Sequence, residues 1–224
     1  MDDNSDNNSV RIPFLVLLYR QYLETQNTAG FISKTSRVYT EGTLERLTMH
    51  DTAEVRRAAV LALGFLGDYQ VNASLGRALQ DEDRTVRIIA ENSIRNVWTR
   101  AGNDEERQSL AIVLRLNTAQ HYEEAIGRAS ELLKLAPWFA EAWNQRAIAR
   151  FALKRLAECI EDCHQALEIN PYHFGAAAGM GQAYLQLGDH AAALESFRRA
   201  LNLNPDLEAV RVQIARLTRL IEDR

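Results

Sequence analysis

Residues 174–205 read FGAAAGMGQAYLQLGDHAAALESFRRALNLNP, and this segment decides the fold. Apolar residues recur at intervals of three and four on both sides of Gly188, which predicts two helices joined by a short turn. Small residues at Gly181 and Ala193 would let the two helices approach closely, with Phe197 filling the space beside them. The segment therefore predicts one helix-turn-helix unit.

The same unit occurs three times with a period of 34 residues. Pro137, Pro171 and Pro205 are spaced 34 residues apart, and each follows an apolar segment. A fixed period of this length is typical of a repeat array, in which each helix pair buries its apolar face only by stacking on its neighbours. The sequence thus predicts an all-α fold, a right-handed α-solenoid (α-α superhelix) of helix-turn-helix repeats. Three further sets of positions share the register: Ala125, Cys159 and Ala193; Ala129, Cys163 and Phe197; Leu133, Leu167 and Leu201.

These positions resemble a known repeat family. The third unit matches the tetratricopeptide signature at Gly181, Tyr184, Gly188, Ala193, Phe197, Ala200 and Pro205, and the second unit matches at Trp143, Ala147, Ala166 and Pro171. The first unit keeps Tyr122, Ala125 and Pro137, but has Val113 and Leu116 where a small residue and a tyrosine are usual. The resemblance covers roughly residues 106–205 and implies an array that binds other proteins.

A second period, of 31 residues, precedes the first. It relates Leu44 to Leu75, Val55 to Val86, Arg56 to Arg87 and Ala59 to Ala90. The pattern resembles short HEAT repeats, which also occur in bilin-chromophore lyases, over about residues 42–101. An aspartate before each Val-Arg pair, Asp51 and Asp83, is predicted to cap a helix. Arg56 and Arg87 are predicted to bridge neighbouring repeats through acidic groups or carbonyls, in preference to binding a ligand.

The two periods divide the chain into five parts. Residues 1–9 are predicted to be a disordered tail, and residues 10–41 to form helices that pack on the array, in preference to a membrane-surface anchor. Within that part, residues 31–40 fit a strand or a helix, and helix is favoured. Residues 42–103 are assigned to HEAT-like repeats and 104–205 to three tetratricopeptide repeats. Residues 206–224 are assigned to a capping helix, whose polar face, with Arg216 and Arg219, would meet water. Without a Pro/Ser-rich linker, the two arrays are expected to abut as one curved solenoid.

Composition and charge exclude several classes of function. The net charge is −4 and no cluster of cations occurs, so nucleic acid is not expected as a partner. The chain has neither a secretory signal nor an apolar run of about 20 residues, so no membrane partner is expected and the protein is predicted to be cytoplasmic. Cys159 and Cys163 lie four residues apart on one predicted helix, which gives no reason to expect a disulfide.

No pattern of catalytic or metal-binding residues emerges. Cys159, Cys163 and His164 form the one metal-like cluster, but the histidine is turned about 100° from its neighbour, and the cysteines are better explained as small buried residues. Gly179-Met-Gly181 begins like a dinucleotide motif but lacks the third glycine. The sequence therefore predicts no catalytic residue, no cofactor, no metal and no enzymatic activity.

The repeat register predicts the surface that would bind a partner. The first helix of each unit should line the concave side, and the predicted groove residues are Asn144, Ile148, Phe151, Ala178, Gln182 and Leu185. Ile148, Phe151 and Leu185 would be apolar anchors, while Asn144 and Gln182 would bond the partner's backbone. A terminal segment of the chain itself is an equally weighted occupant.

Tetratricopeptide domains that hold the C-terminal carboxylates of heat-shock chaperones use lysine, arginine and asparagine. The matching places in this chain are Leu110, Leu114, Gln145, Gly175 and Gly179. The resemblance therefore implies an adaptor that binds another protein or peptide segment but not a chaperone tail. The alternative is a lyase- or chaperone-like factor for a chromophore- or cofactor-bearing protein, acting through the HEAT-like repeats.

Overall fold

The computed structural model describes residues 13–222, and this range contains thirteen α-helices and no β-strand. Consecutive helices pack on one another and build the right-handed α-solenoid that the two periods predict. The tail predicted at residues 1–9 lies outside the described residues. The helices are α1 Phe14–Thr25, α2 Thr28–Val38, α3 Glu41–Leu47, α4 Ala53–Leu66, α5 Asn72–Ala78, α6 Arg84–Arg100, α7 Asp104–Thr118, α8 Tyr122–Leu135, α9 Ala140–Ala152, α10 Leu156–Ile169, α11 Phe174–Leu187, α12 His190–Leu203 and α13 Glu208–Glu222.

The 34-residue array consists of the three helix pairs from α7 to α12. In the third pair, a Cβ atom built on Gly181 would lie 2.6 Å from Cδ1 of Phe197, closer than two carbon atoms approach. Gly188 ends α11 with φ of +79°, a left-handed conformation that costs glycine little. The close packing and the turn predicted for this unit are therefore confirmed.

The 31-residue array consists of α3 to α6. Asp83 caps α6, because its side chain accepts a hydrogen bond from the backbone N–H of Val86 at 2.9 Å. The corresponding prediction for Asp51 is wrong, since Thr52 is the N-cap residue of α4. One more residue separates Asp51 from Val55 than separates Asp83 from Val86, which leaves the Asp51 carboxylate outside the cap position.

The two repeated arginines of this array have the predicted bridging role. Arg56 donates to both carboxylate oxygens of Asp81, at 2.7 and 2.8 Å, and to two backbone carbonyls of the loop before α4. Arg87 donates to two carbonyls before α6, and also to both oxygens of Asp206 at 3.0 and 3.1 Å. Arg87 therefore also connects the 31-residue array to the turn before α13.

Helices α1 and α2 pack on α4. The rings of Tyr22, Phe31 and Phe65 form an aromatic cluster with centroids 5.3 to 6.2 Å apart. The segment that fitted either a strand or a helix is helical through Val38, as favoured. Within residues 13–222, no helix combines the length and the apolar composition that a bilayer crossing requires.

Helices α5 and α6 pack across the turns that join successive 34-residue units. Ala101, which follows α6, shares a buried cluster with Ala136 and Phe139 of the first turn. At the second turn, the ring of Trp98 stacks on His173 with centroids 4.3 Å apart. At the third turn, Asn204 donates to Glu91 at 3.1 Å, beside the Arg87 ion pair. The arrays share an interface as expected, but it runs along the turns and not only at the end of the stack.

Buried amides connect the arrays at the second turn. Nε1 of Trp98 donates to Oδ1 of Asn72 at 2.7 Å, and Nδ2 of Asn72 donates to Oδ1 of Asn170 at 2.9 Å. Gly76 lies against the ring of Tyr172 so closely that a Cβ atom would overlap the ring. The absence of a side chain at this glycine thus permits the close approach of α5 to the turn.

A buried ion cluster joins α9 to α10. Asp162 is 1% exposed and accepts hydrogen bonds from Arg146 at 2.7 and 3.0 Å. Arg150 places Nη1 2.8 Å from the same carboxylate. A carboxylate buried between two cations is stable only while all three groups are present, so this cluster fixes the pairing of the two helices.

Candidate partner-binding groove

The six predicted groove residues lie on two helices that contact each other, α9 and α11. Ile148 is 44% exposed, whereas Asn144 is only 8% exposed. The other four are half-buried. Five of the six side chains are thus accessible. We call the surface that they form with Asn144 the groove face: Asn144, Ile148, Phe151, Ala178, Gln182 and Leu185.

A buried polar network holds Asn144 at the edge of this surface. Glu141 accepts hydrogen bonds from Asn144 at 3.3 Å, from Gln145 at 2.7 Å and from His173 at 2.9 Å. Nδ1 of His173 accepts a hydrogen bond from the backbone of α11, so its Nε2 carries the proton and donates the hydrogen bond to Glu141. Gln182 has no hydrogen-bond partner among the described residues, and is therefore the better placed amide for bonding a partner.

The Glu141 carboxylate is a fixed negative charge beside the groove face. Burial raises the pKa of Glu141, but hydrogen bonding and electrostatic attraction from His173, together with hydrogen bonds from Gln145 and Asn144, lower it more strongly, and the pKa lies below its ordinary value. The group is therefore ionised at neutral pH. An anionic ligand group placed next to it would be repelled.

The contact of this network with the 31-residue array is not evident from sequence reasoning. His173, which bonds Glu141, stacks on Trp98 of α6, so the edge of the groove face is tied to the other array. One signal was available in the sequence. Asn170 and Asn204 are 34 residues apart, and each precedes a proline. Both asparagines are fully buried and bond residues of the 31-residue array.

The positions that bind chaperone tails in tetratricopeptide domains have other roles here. Leu110 is buried in the core, and Leu114 is half-buried beside it. Gln145 bonds both Glu141 and Asn117, the latter through two contacts of 2.9 Å. Gly175 and Gly179 offer no side chain, so none of the five positions carries a cation.

The cysteine pair of α10 is buried. Cys159 and Cys163 are each 1% exposed and are free thiols, whereas His164 is exposed. The hydrogen bond with Cys159 and burial raise the pKa of Cys163, which keeps this thiol protonated. Within the described part of the chain, no group of three or more histidine, cysteine or acidic side chains is arranged to hold a metal ion.

Comparison with known families identifies both repeat types. The family description "HEAT repeats" matches residues 40–131, and "Tetratricopeptide repeat" matches residues 138–206. Each match covers less than half of the chain, and each segment is similar to the repeat type that matches it. The tetratricopeptide match covers α9 to α12. The HEAT match extends past α6 over the first 34-residue unit, whose Val113 and Leu116 depart from the tetratricopeptide signature.

Two proteins are similar in sequence to part of this chain. A TPR repeat-containing protein of Rhizobium etli is 27% identical over 126 residues, 56% of this chain and 61% of the relative. The Hsp70-Hsp90 organizing protein of Triticum aestivum is 29% identical over 98 residues, 44% of this chain and 17% of that protein. The chain therefore spans less than two thirds of either relative.

Two solved structures show the same fold for about half of the chain. One is the first TPR of Spaghetti (RPAP3) bound to the HSP90 peptide SRMEEVD, with a TM-score of 0.52 and 21% identity, covering 54% of this chain and 96% of that one. The other is the Sgt2 TPR domain from Aspergillus fumigatus, with a TM-score of 0.52 and 21% identity, covering 55% and 83%.

Proposed function

We propose that this chain is a non-catalytic scaffold that binds a segment of another protein along the groove face. The observation that carries the proposal is the exposure of Ile148 beside Phe151 and Leu185, at the positions where a stacked array presents its first helices. Large apolar side chains on a binding surface supply most of the free energy of association when a partner buries them. Gln182, whose amide has no hydrogen-bond partner within residues 13–222, would bond the partner's backbone.

The proposal excludes the C-terminal tail of a heat-shock chaperone as the partner. The five positions that would hold its carboxylates carry no cation, and the ionised Glu141 beside Gln145 would repel them. The peptide SRMEEVD, which is bound in the similar structure, tests this point directly. We expect a dissociation constant weaker than about 1 mM by fluorescence anisotropy. Binding in the micromolar range would contradict it.

The partner proposal is tested by removing two anchors. Phe151→Ala with Leu185→Ala should cost about 1 to 3 kcal/mol of binding free energy for a protein recovered from source cells by affinity purification and mass spectrometry. Leu135→Ala with Met49→Ala is the matched control, because these side chains are 82% and 74% exposed and lie away from the groove face. Recovery of the same partners by a folded anchor variant would overturn the proposal, and would favour coverage of this surface by the chain's own termini.

Two further expectations accompany this function. We place the protein in the cytoplasm, where the free thiols Cys159 and Cys163 would stay reduced. The alternative function, a lyase- or chaperone-like factor acting through the HEAT repeats, stays a prediction. Titration of the protein with a linear tetrapyrrole, followed by absorbance, is its direct test.

A further inference from the structure

The 34-residue period continues beyond the third unit into α13. A shift of 34 relates the buried Ala176 to Val210 and the buried Ala183 to Leu217, and these two larger residues are buried as well. Helix α13 packs on α12 as α11 packs on α10. It therefore takes the place of the first helix of a fourth unit. Its contact with α11 is slighter than the contact of α11 with α9.

The same shift carries the groove face onto this helix. It relates Ala178 to Val212, Gln182 to Arg216 and Leu185 to Arg219. Val212 is 60% exposed and both arginines are exposed. With Ala215 and Leu220, these three side chains line a shallow cleft. The capping helix thus presents side chains at three positions of the groove face, although the sequence pattern assigned its arginines to a merely solvated side.

The charge at this end of the groove face is not neutralised within the described residues. Arg211, on the same helix, pairs with Glu208 at 3.3 Å, whereas Arg216 and Arg219 form no ion pair or hydrogen bond within residues 13–222. At the opposite edge of the surface, Glu141 is held as an anion. The surface therefore combines an apolar centre on α9 and α11, two cations on α13 and one anion at the far edge.

We propose that the groove face extends onto α13 and selects an internal partner segment in which acidic side chains follow a pair of apolar anchors. The inference rests on the proposed function, since it names the chemistry of the segment bound there. Aspartate or glutamate side chains would lie against Arg216 and Arg219, and the apolar anchors against Ile148, Phe151 and Leu185. Charge complementarity of this kind sets the orientation of a bound segment and speeds its association.

Selection from a library of random twelve-residue peptides on phage tests the inference with the full chain. Peptides recovered on the wild-type protein should be enriched in acidic residues on one side of an apolar pair. Fluorescence anisotropy of the best peptide should show about a three- to tenfold loss of affinity for Arg216→Gln with Arg219→Gln at low salt. The loss should disappear at high ionic strength, because salt screens exposed charges.

A matched variant controls for net charge. Arg198→Gln with Arg199→Gln removes the same two charges from an exposed side of α12, and should leave the affinity within about twofold. Equal losses in the two double variants would overturn the inference. If binding depends on Phe151 and Leu185 but not on the α13 arginines, the acidic preference is wrong while the proposed function stands. If the selected peptides depend on neither pair, both proposals fail.

Discussion

Trp98 is the side chain whose removal tests the interface between the two arrays most directly. It is 2% exposed, stacks on His173 with centroids 4.3 Å apart and lies 5.3 Å from the ring of Phe174. Its Nε1 is the donor to Asn72. Trp98→Ala removes the ring and the donor together, whereas Trp98→Phe keeps a smaller aromatic ring and removes the donor.

The two substitutions have different expected costs. Replacing a fully buried tryptophan with alanine loses the transfer free energy of the ring and leaves a cavity, about 3 to 5 kcal/mol in all. Trp98→Phe leaves Oδ1 of Asn72 buried without a partner, which costs about 1 to 3 kcal/mol. Nδ2 of Asn72 keeps its bond to Asn170, so the amide cannot turn to compensate without losing that second contact.

Urea unfolding followed by two probes measures these costs and shows where they act. Far-UV circular dichroism reports the helices of the whole chain. After Trp98 is replaced, tryptophan fluorescence comes from Trp138 and Trp143 alone, both in the 34-residue array. The wild-type transitions should coincide. In Trp98→Ala the dichroism transition should begin at lower urea than the fluorescence transition, because the 31-residue array no longer gains stability from the turns.

The matched control is Trp138→Ala. This ring is 44% exposed and stacks on Phe139, so its loss should cost about 1 kcal/mol. A Trp98→Ala midpoint no lower than that of the control would refute the argument that the stacked contact couples the arrays. A Trp98→Phe variant as stable as the wild type would refute the contribution of the buried hydrogen bond.

Four other substitutions test individual contacts. Gly76→Ala should destabilise the chain by about 1 to 3 kcal/mol, because the methyl group overlaps the neighbouring tyrosine ring. Gly127→Ala, which meets nothing within 4 Å on α8, should stabilise it by up to about 1 kcal/mol; equal urea midpoints would contradict this contrast. Asp162→Ala should cost about 3 to 5 kcal/mol in urea unfolding, since it leaves the half-buried Arg146 without a counter-ion and Arg150 with Glu158 alone; retained stability would contradict this assignment. Hydrogen bonds from Arg57 and from backbone amides lower the pKa of Asp83 to about 2, so its stabilising contribution is present above its ordinary pKa of about 4 and is lost as the pH falls through about 2. Asp83→Asn should therefore flatten the fall of the thermal midpoint over that range; an unchanged slope would contradict the ion pair.

The sequence predicts the helix pairs well because the information for them is local and repeated. The period alone identifies the core of each unit, because positions that pack together, such as those of Gly181, Ala193 and Phe197, repeat together. The interface between the arrays lacks such a signal. It brings together Asn72, the first residue of α5, and Asn170, which are 98 residues apart. In the sequence alone, solvent could satisfy either amide equally well. No local pattern distinguishes those two cases.

The groove face likewise has features that the sequence predicts and features that it does not. The register predicts which positions share a surface, and five of the six side chains are accessible there. The burial of Asn144 depends on Glu141, whose position is set by His173 from the next turn and by Trp98 from the other array. The pattern of a single helix cannot indicate the contribution of Trp98, which lies in the other array. The same limit explains why Arg216 and Arg219 were assigned only to a solvated face of a terminal helix.

Many solenoids change their curvature easily, since each unit contacts only its neighbours and small rotations accumulate along the stack. Here α6 and the residue that follows it contact three successive turns of the 34-residue array, at Ala136, His173 and Asp206. Stretching or unwinding the superhelix would break all three attachments together. We therefore expect the pitch of the superhelix to stay the same when a partner binds, so that the partner adapts to the protein. Small-angle scattering profiles with and without a bound peptide should then superimpose.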